Sequence, residues 1–178
     1  MAIDPEALAA SLREPGTGVV EALRQVTEAC VDLFGVTGSG IMLADEQNVP
    51  HYVAASDGPG RMLEVAESDT GQGACTEAFV NNTVVASTDV TTEGRWPDLA
   101  AALRPHGVRA VLGLPVRLGG VTVGTLDLCY DHPHVWQDDE CQALTRYRDV
   151  VESTLASAVA AHNAGELAAQ LQYAWTIE

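Results

Sequence analysis

Residues 108–130, VRAVLGLPVRLGGVTVGTLDLCY, constrain the fold of this chain more than any other stretch. Two apolar runs flank Gly119 and Gly120, and a glycine pair in that setting marks a two-residue hairpin turn, because both turn positions need positive φ. A regular hairpin closed there faces Leu118 with Val121, Leu114 with Thr125, Leu112 with Asp127 and Ala110 with Cys129 on one side of the sheet. The other side then carries Arg109 with Tyr130, Val111 with Leu128, Gly113 with Leu126 and Pro115 with Gly124. Both sides are largely apolar, so both must be covered. In this register Arg109 and Asp127 lie on opposite sides, and the small residues near Arg109 leave room for a concavity.

The covering layers are legible in part. From Thr17 the apolar positions Val19, Val20, Leu23, Val26, Cys30, Leu33 and Phe34 recur at helical spacing up to Gly35. Residues 41–44 and 51–56 read as two strands across a polar turn. Residues 57–73 are rich in Gly, Asp and Glu and show no clear period. ACTEAFVN then suits a short helix, TVVAST a strand, and PDLAAALRPH a helix bracketed by Trp96-Pro97 and Gly107, with Pro105 at its frayed end. Asp138, Asp139 and Glu140 open a long helix that carries Leu144, Val151, Leu155, Ala158 and Val159, and Leu167 with Leu171 extend its stripe toward Trp175. Such a helix outruns a small domain, so its distal half is expected to pair with another helix. At the other end, Asp4 and Pro5 can start a short helix over 4–13 before Pro15 and Gly16 break it.

At 178 residues the chain suffices for one domain with terminal helices. Its 25 acids against 9 bases leave a net charge of −16, and every base is arginine. The absence of lysine excludes Schiff-base and Walker-type chemistry. Scattered arginines on an acidic chain also argue against direct nucleic-acid binding, which draws on clustered cations. The opening MAIDPEALAASLREPG carries acids where a secretory leader would carry bases and then strongly apolar residues, so no leader is expected, and no run approaches the ~20 apolar residues that span a bilayer. Four cysteines without a CxxC pair suit reduced thiols, and a cytoplasmic location away from membranes is expected.

Three phrases carry a resemblance: GQGACTEAF at 71–79, TDV with RWPDLAAAL within 88–103, and GVRAVLGLPVRLGGVTVGTLDL at 107–128. In this order the chain resembles the GAF domain over roughly 17–162, and most closely the GAF modules of actinobacterial GAF–ANTAR transcription antitermination regulators. The resemblance implies an α/β (α+β) fold, with a mainly antiparallel sheet of about five or six strands covered by helices on both faces. Three parts are then expected: an arm or short helix at 1–16, the sensor domain at 17–162, and a helical extension at 163–178 leading toward an output domain missing from this chain. It implies a sensor that binds an unidentified small molecule, pairs as a homodimer through its terminal helices, and serves transcription regulation. Cyclic nucleotides, tetrapyrroles, haem and small metabolites all occur in the superfamily, so no cofactor is singled out.

Five residues are candidates to line the pocket: Cys75, Trp96, Asp98, Arg109 and Asp127. Cys75 invites comparison with free methionine-(R)-sulfoxide reductases, which resemble this segment. The partner cysteines such an enzyme needs between Glu93 and Arg109 are missing, and a packed helix-start cysteine is the alternative. Arg109 can bind a carboxylate or phosphate of a ligand, or pair with an acid from 64–98. Trp96 and Asp98 open the helix expected over the pocket. Asp127, on a buried strand, needs a partner. No histidine pair has zinc-binding spacing, and no triad, paired-carboxylate or dinucleotide motif can be assembled. Neither a metal site nor enzyme activity is expected.

Overall fold

The computed structural model describes residues 18–176, with side chains through 172, so the helix expected over 4–13 lies outside the described residues. Five strands form one antiparallel sheet: β1 (Gly38–Ala44), β2 (Pro50–Ala55), β3 (Val85–Ser87), β4 (Ala110–Leu118) and β5 (Val121–Tyr130), in spatial order β2-β1-β5-β4-β3. The hairpin expected from sequence is the sheet's centre. Its turn glycines, Gly119 and Gly120, both take positive φ.

Helices α1 (Val19–Phe34) and α5 (Asp138–Thr176) cover one face. Their Leu23, Cys30, Leu144, Val151 and Leu155 meet Leu112, Leu114, Leu126 and Leu128 from the central strands in one aliphatic core. Each buried leucine contributes roughly 1.5–3 kcal/mol relative to exposure, so this layer supplies much of the driving force. Tyr147 of α5 also donates its hydroxyl to the Val26 carbonyl of α1 at 2.6 Å, fastening the two helices to each other.

The opposite face is covered by α2 (Pro59–Thr70), α3 (Ala74–Asn81) and α4 (Pro97–Leu103), the last continuing as a 3-10 turn over Arg104–His106. Leu63, Trp96, Leu99 and Leu103 pack there against Val111 and Cys129. The stretch 57–73, read as aperiodic, is therefore mostly the helix α2. Its buried stripe includes Glu64 and Glu67 where a core helix normally carries apolar residues, and this hid the period.

The hairpin register also needs correction. Leu118 faces Val121 as expected, but the register shifts between Val116 and Arg117, and beyond it Leu114 faces Leu126, Gly113 faces Asp127 and Leu112 faces Leu128. Arg117 pairs with Thr122 and Val116 with Gly124, so Val123 is the extra residue of a bulge. Because side chains alternate with period two, this one residue moves Asp127 to the face beneath α2 and α3.

Candidate functional site

Asp127 lies on the central strand, in register with Gly40 of β1 on one side and Gly113 of β4 on the other. Neither neighbour has a side chain, and the covering helices come down into that space. A Cβ at Gly40 would sit 2.6 Å from Glu64 Oε1, and one at Gly113 would sit 2.7 Å from the Ala74 carbonyl and 3.0 Å from Cys75 Cα. The row Gly40–Asp127–Gly113 is thus a shallow trough across the sheet, with Glu64 of α2 over one end and the start of α3 over the other.

Three acids and a thiol are closed inside. Glu64 and Asp127 are 0 % exposed, and Glu67 and Cys75 are 1 % exposed. Among the described residues, one donor atom each from Glu64, Cys75 and Asp127 lie within 4.8 Å of one another. The Cys75 backbone N–H donates to both Glu67 oxygens at 3.3 and 3.2 Å, and the Thr125 hydroxyl donates to Asp127 Oδ2 at 3.0 Å. No donor from outside the cluster reaches Glu64 Oε1, Glu64 Oε2 or Asp127 Oδ1. Among the described residues no arginine pairs with any of the three acids.

Buried carboxylates without a cation hold their protons tightly. Burial pushes the Glu64 carboxyl well above the usual range, and the neighbouring Asp127 adds to the effect. Glu67 is likewise raised by burial and by Asp127, against the lowering pull of the Cys75 donors. Asp127 is raised by burial, while Glu64, Cys75 and Thr125 act as donors that limit the shift. Burial and the three acids push the Cys75 thiol well above its normal value. An activated nucleophilic cysteine needs the opposite surroundings. Chemically the cluster can keep protons between its oxygens or accept a cation.

Of the five sequence candidates, the fold brings Cys75 and Asp127 together. Trp96 and Asp98 hold the roof in place. Trp96 Nε1 donates to Glu77 Oε1 at 2.8 Å, tying α4 to α3. Asp98 exchanges two hydrogen bonds with the Gln72 side chain, at 3.0 and 2.9 Å, tying α4 to the joint between α2 and α3. Arg109 sits apart, where both Nε and Nη2 engage Asp89, at 2.9 and 2.5 Å. That is an ion pair with an acid of the 64–98 region, one of the two arrangements weighed for it. Glu64 and Glu67 are the residues that sequence reasoning passed over. The available signal was their i, i+3 spacing beside Leu63 and Ala66, which sets acids on an otherwise apolar stripe.

A family model for the GAF domain matches residues 19–155. Solved structures share the architecture. Free methionine-R-sulfoxide reductase from Neisseria meningitidis, in complex with its substrate, superposes with a TM-score of 0.66 at 18% identity, covering 88% of this chain and 88% of that one. The blue-light absorbing form of the Thermosynechococcus elongatus PixJ GAF domain gives 0.62 at 18% identity, with 97% and 98% covered. The GAF domain of an Acinetobacter phosphoenolpyruvate-protein phosphotransferase gives 0.62 at 14%, with 89% and 94% covered. At such identities the likeness shows the fold alone. No curated protein matches the chain in sequence.

Proposed function

Because the chain belongs to the GAF domain family, a signal-sensing regulatory fold, we propose that it senses a small ligand beneath α2–α4 and reports it through a homodimer built on its terminal helices. We assign it to regulators of the transcription antitermination kind, on the phrases GQGACTEAF, RWPDLAAAL and GVRAVLGLPVRLGGVTVGTLDL.

The observation that carries this reading is the division of α5. As far as His162 the helix buries a stripe on the sheet, whereas residues 163–172 are all exposed, Leu167 and Leu171 included. An uncovered helix carrying leucines at i, i+4 spacing gains most by pairing with its copy. Beside it, a groove of about 640 Å³ between the start of α1 and the middle of α5 is lined by small side chains, among them Ala22, Ser153, Ser157 and Ala161. A ligand that favours one arrangement of α2–α4 can shift the pairing of α5 only by binding one arrangement more tightly than another.

Light scattering on the full chain and on a chain ending at residue 162 tests the dimer. The full chain is expected to be dimeric and the shortened one monomeric. Because each copy carries −16 charges, added salt should tighten the dimer. A monomer at high protein concentration and high salt would overturn the reading. The rival reading is a dimerisation module filled by its own side chains, and the closure of the acid cluster favours it. A thermal-shift panel of nucleotides, tetrapyrroles, metabolites and divalent metal ions separates the two, because silence across the whole panel selects the filled module. No helix among the described residues is long and apolar enough to cross a membrane.

A further inference from the structure

We infer that Glu64, Cys75 and Asp127 form a binding site for a single divalent transition-metal ion of the zinc, cobalt or ferrous class. An acidic cluster alone is no site, since acids can stay protonated. Here a second observation points to a cation: both oxygens of Glu64 and Oδ1 of Asp127 are fully buried and receive no donor from outside the cluster, and one oxygen of each acid lies within 4.8 Å of the Cys75 thiol. Unsatisfied buried oxygens are costly, and a metal ion satisfies several at once.

The donor set selects the class of ion. Two carboxylates and one thiolate suit borderline ions, whereas calcium and magnesium take oxygen ligands throughout. Donor atoms in a tetrahedral site stand roughly 3.3–3.7 Å apart, given metal–oxygen and metal–sulfur distances of ~2.1 and ~2.3 Å. The three donor atoms already lie within 4.8 Å of one another. Closing the remaining gap falls to Glu64, which has more rotatable bonds than Cys75 or Asp127. Three protein ligands leave one position open for water or a small anion, as in zinc sites that react to their surroundings.

The supporting shell is also present. Glu67 grips the Cys75 N–H and fixes the first turn of α3, and Thr125 orients Asp127. Such outer contacts set ligand orientation. Binding releases the thiol proton and any carboxyl proton to solvent, because the ion takes thiolate and carboxylate forms. In metal-free protein those protons take the ion's place. The inference deepens the sensor reading, because it names what the buried site takes.

The test uses the full chain, stripped with a chelator and titrated with cobalt(II) chloride, then with zinc chloride in competition. One equivalent of cobalt should bind with a thiolate-to-metal charge-transfer absorption, release protons and raise the melting temperature, and zinc should displace it. Cys75→Ser should abolish the charge-transfer band. Asp127→Asn and Glu64→Gln, which keep side-chain shape, should each weaken binding by more than about tenfold, and Glu67→Gln by about tenfold. His132 and His134 lie near each other in an aromatic stack at the surface, so His134→Ala controls for capture there and should change nothing. Failure of the wild type to take up one cobalt, or a band that survives Cys75→Ser, overturns the site. Loss of uptake in His134→Ala overturns it equally. Should Cys75→Ser fail to fold, the wild-type sulfur band and proton count decide by themselves. Metal uptake with no change in the association of α5 would keep the site and break the sensor reading; no uptake, with the dimer intact, would do the reverse.

Discussion

The two faces of the central sheet are built on opposite principles. Beneath α1 and α5 the sheet presents Leu112, Leu114, Leu126 and Leu128 to aliphatic helices, and these four leucines need no partner beyond shape. Beneath α2 and α3 the same two strands present Gly113 and Asp127, and the helices answer with Glu64, Glu67 and Cys75. One face stabilises the domain. The other spends part of that stability to keep ionisable groups out of water, a cost that a purely structural layer would avoid.

Truncating the dry face should produce the largest loss. Leu126→Ala removes a fully buried side chain at the centre of the aliphatic core, with an expected cost of about 2–5 kcal/mol in denaturant unfolding. A smaller loss would mean that the two faces share the load more evenly than the packing indicates. Gly113→Val probes the other face by steric means. Its Cβ meets the Ala74 carbonyl at 2.7 Å, so α3 must lift, and about 1–3 kcal/mol should be lost.

Asp127→Asn should act with the opposite sign. In metal-free protein the acids of the cluster hold protons in the folded state at pH values where the unfolded chain has released them. The folded state then binds more protons, so this contribution is fully present below roughly pH 4 and is lost as pH rises through the raised folded values. Stability should decline with pH across that window, by up to about 1.4 kcal/mol per unit for each such group. Asp127→Asn should flatten the slope and raise the melting temperature at pH 8, with little effect at pH 4.5. A steep slope surviving in the variant would remove Asp127 from the cluster's titration.

The roof contact is worth less. Trp96→Phe keeps the buried ring but loses the bond to Glu77, and about 0.5–1.5 kcal/mol should go. Asp89→Asn should shift the melting temperature least, since its partner Arg109 is solvent-accessible and such pairs are screened. Its pH sign is the reverse of the cluster's. The Arg109 guanidinium lowers the Asp89 carboxyl, so its contribution is present above roughly pH 4 and fades as pH falls further. Acid titration monitored by circular dichroism should therefore separate the cluster from the Asp89–Arg109 pair.

Much of the fold was legible in the chain. The helix opening at Val19 and closing at Gly35, the glycine turn, the short helix over ACTEAFVN and the long final helix all follow from periodicity, caps and breakers. Half of the candidate site was legible too, through Cys75 and Asp127. Glu64 and Glu67 were not, because a buried acid looks like a surface acid until something is seen to cover it. The hairpin bulge was equally hidden. Nothing in VTVGT announces that Val123 is extra, yet it decides which face Asp127 joins. The expectation of no metal site rested on histidine spacing along the chain, whereas the site proposed above draws its donors from α2, α3 and β5.

Local chemistry thus determined the layered antiparallel design, because periodicity and turn preference act over a few residues. It also determined the exclusion of lysine chemistry. Tertiary structure alone decided the acid cluster. Burial, proton affinity and metal-ligand geometry depend on the distances among Glu64, Cys75 and Asp127, and those distances exist only once two glycine-backed helices settle onto the sheet.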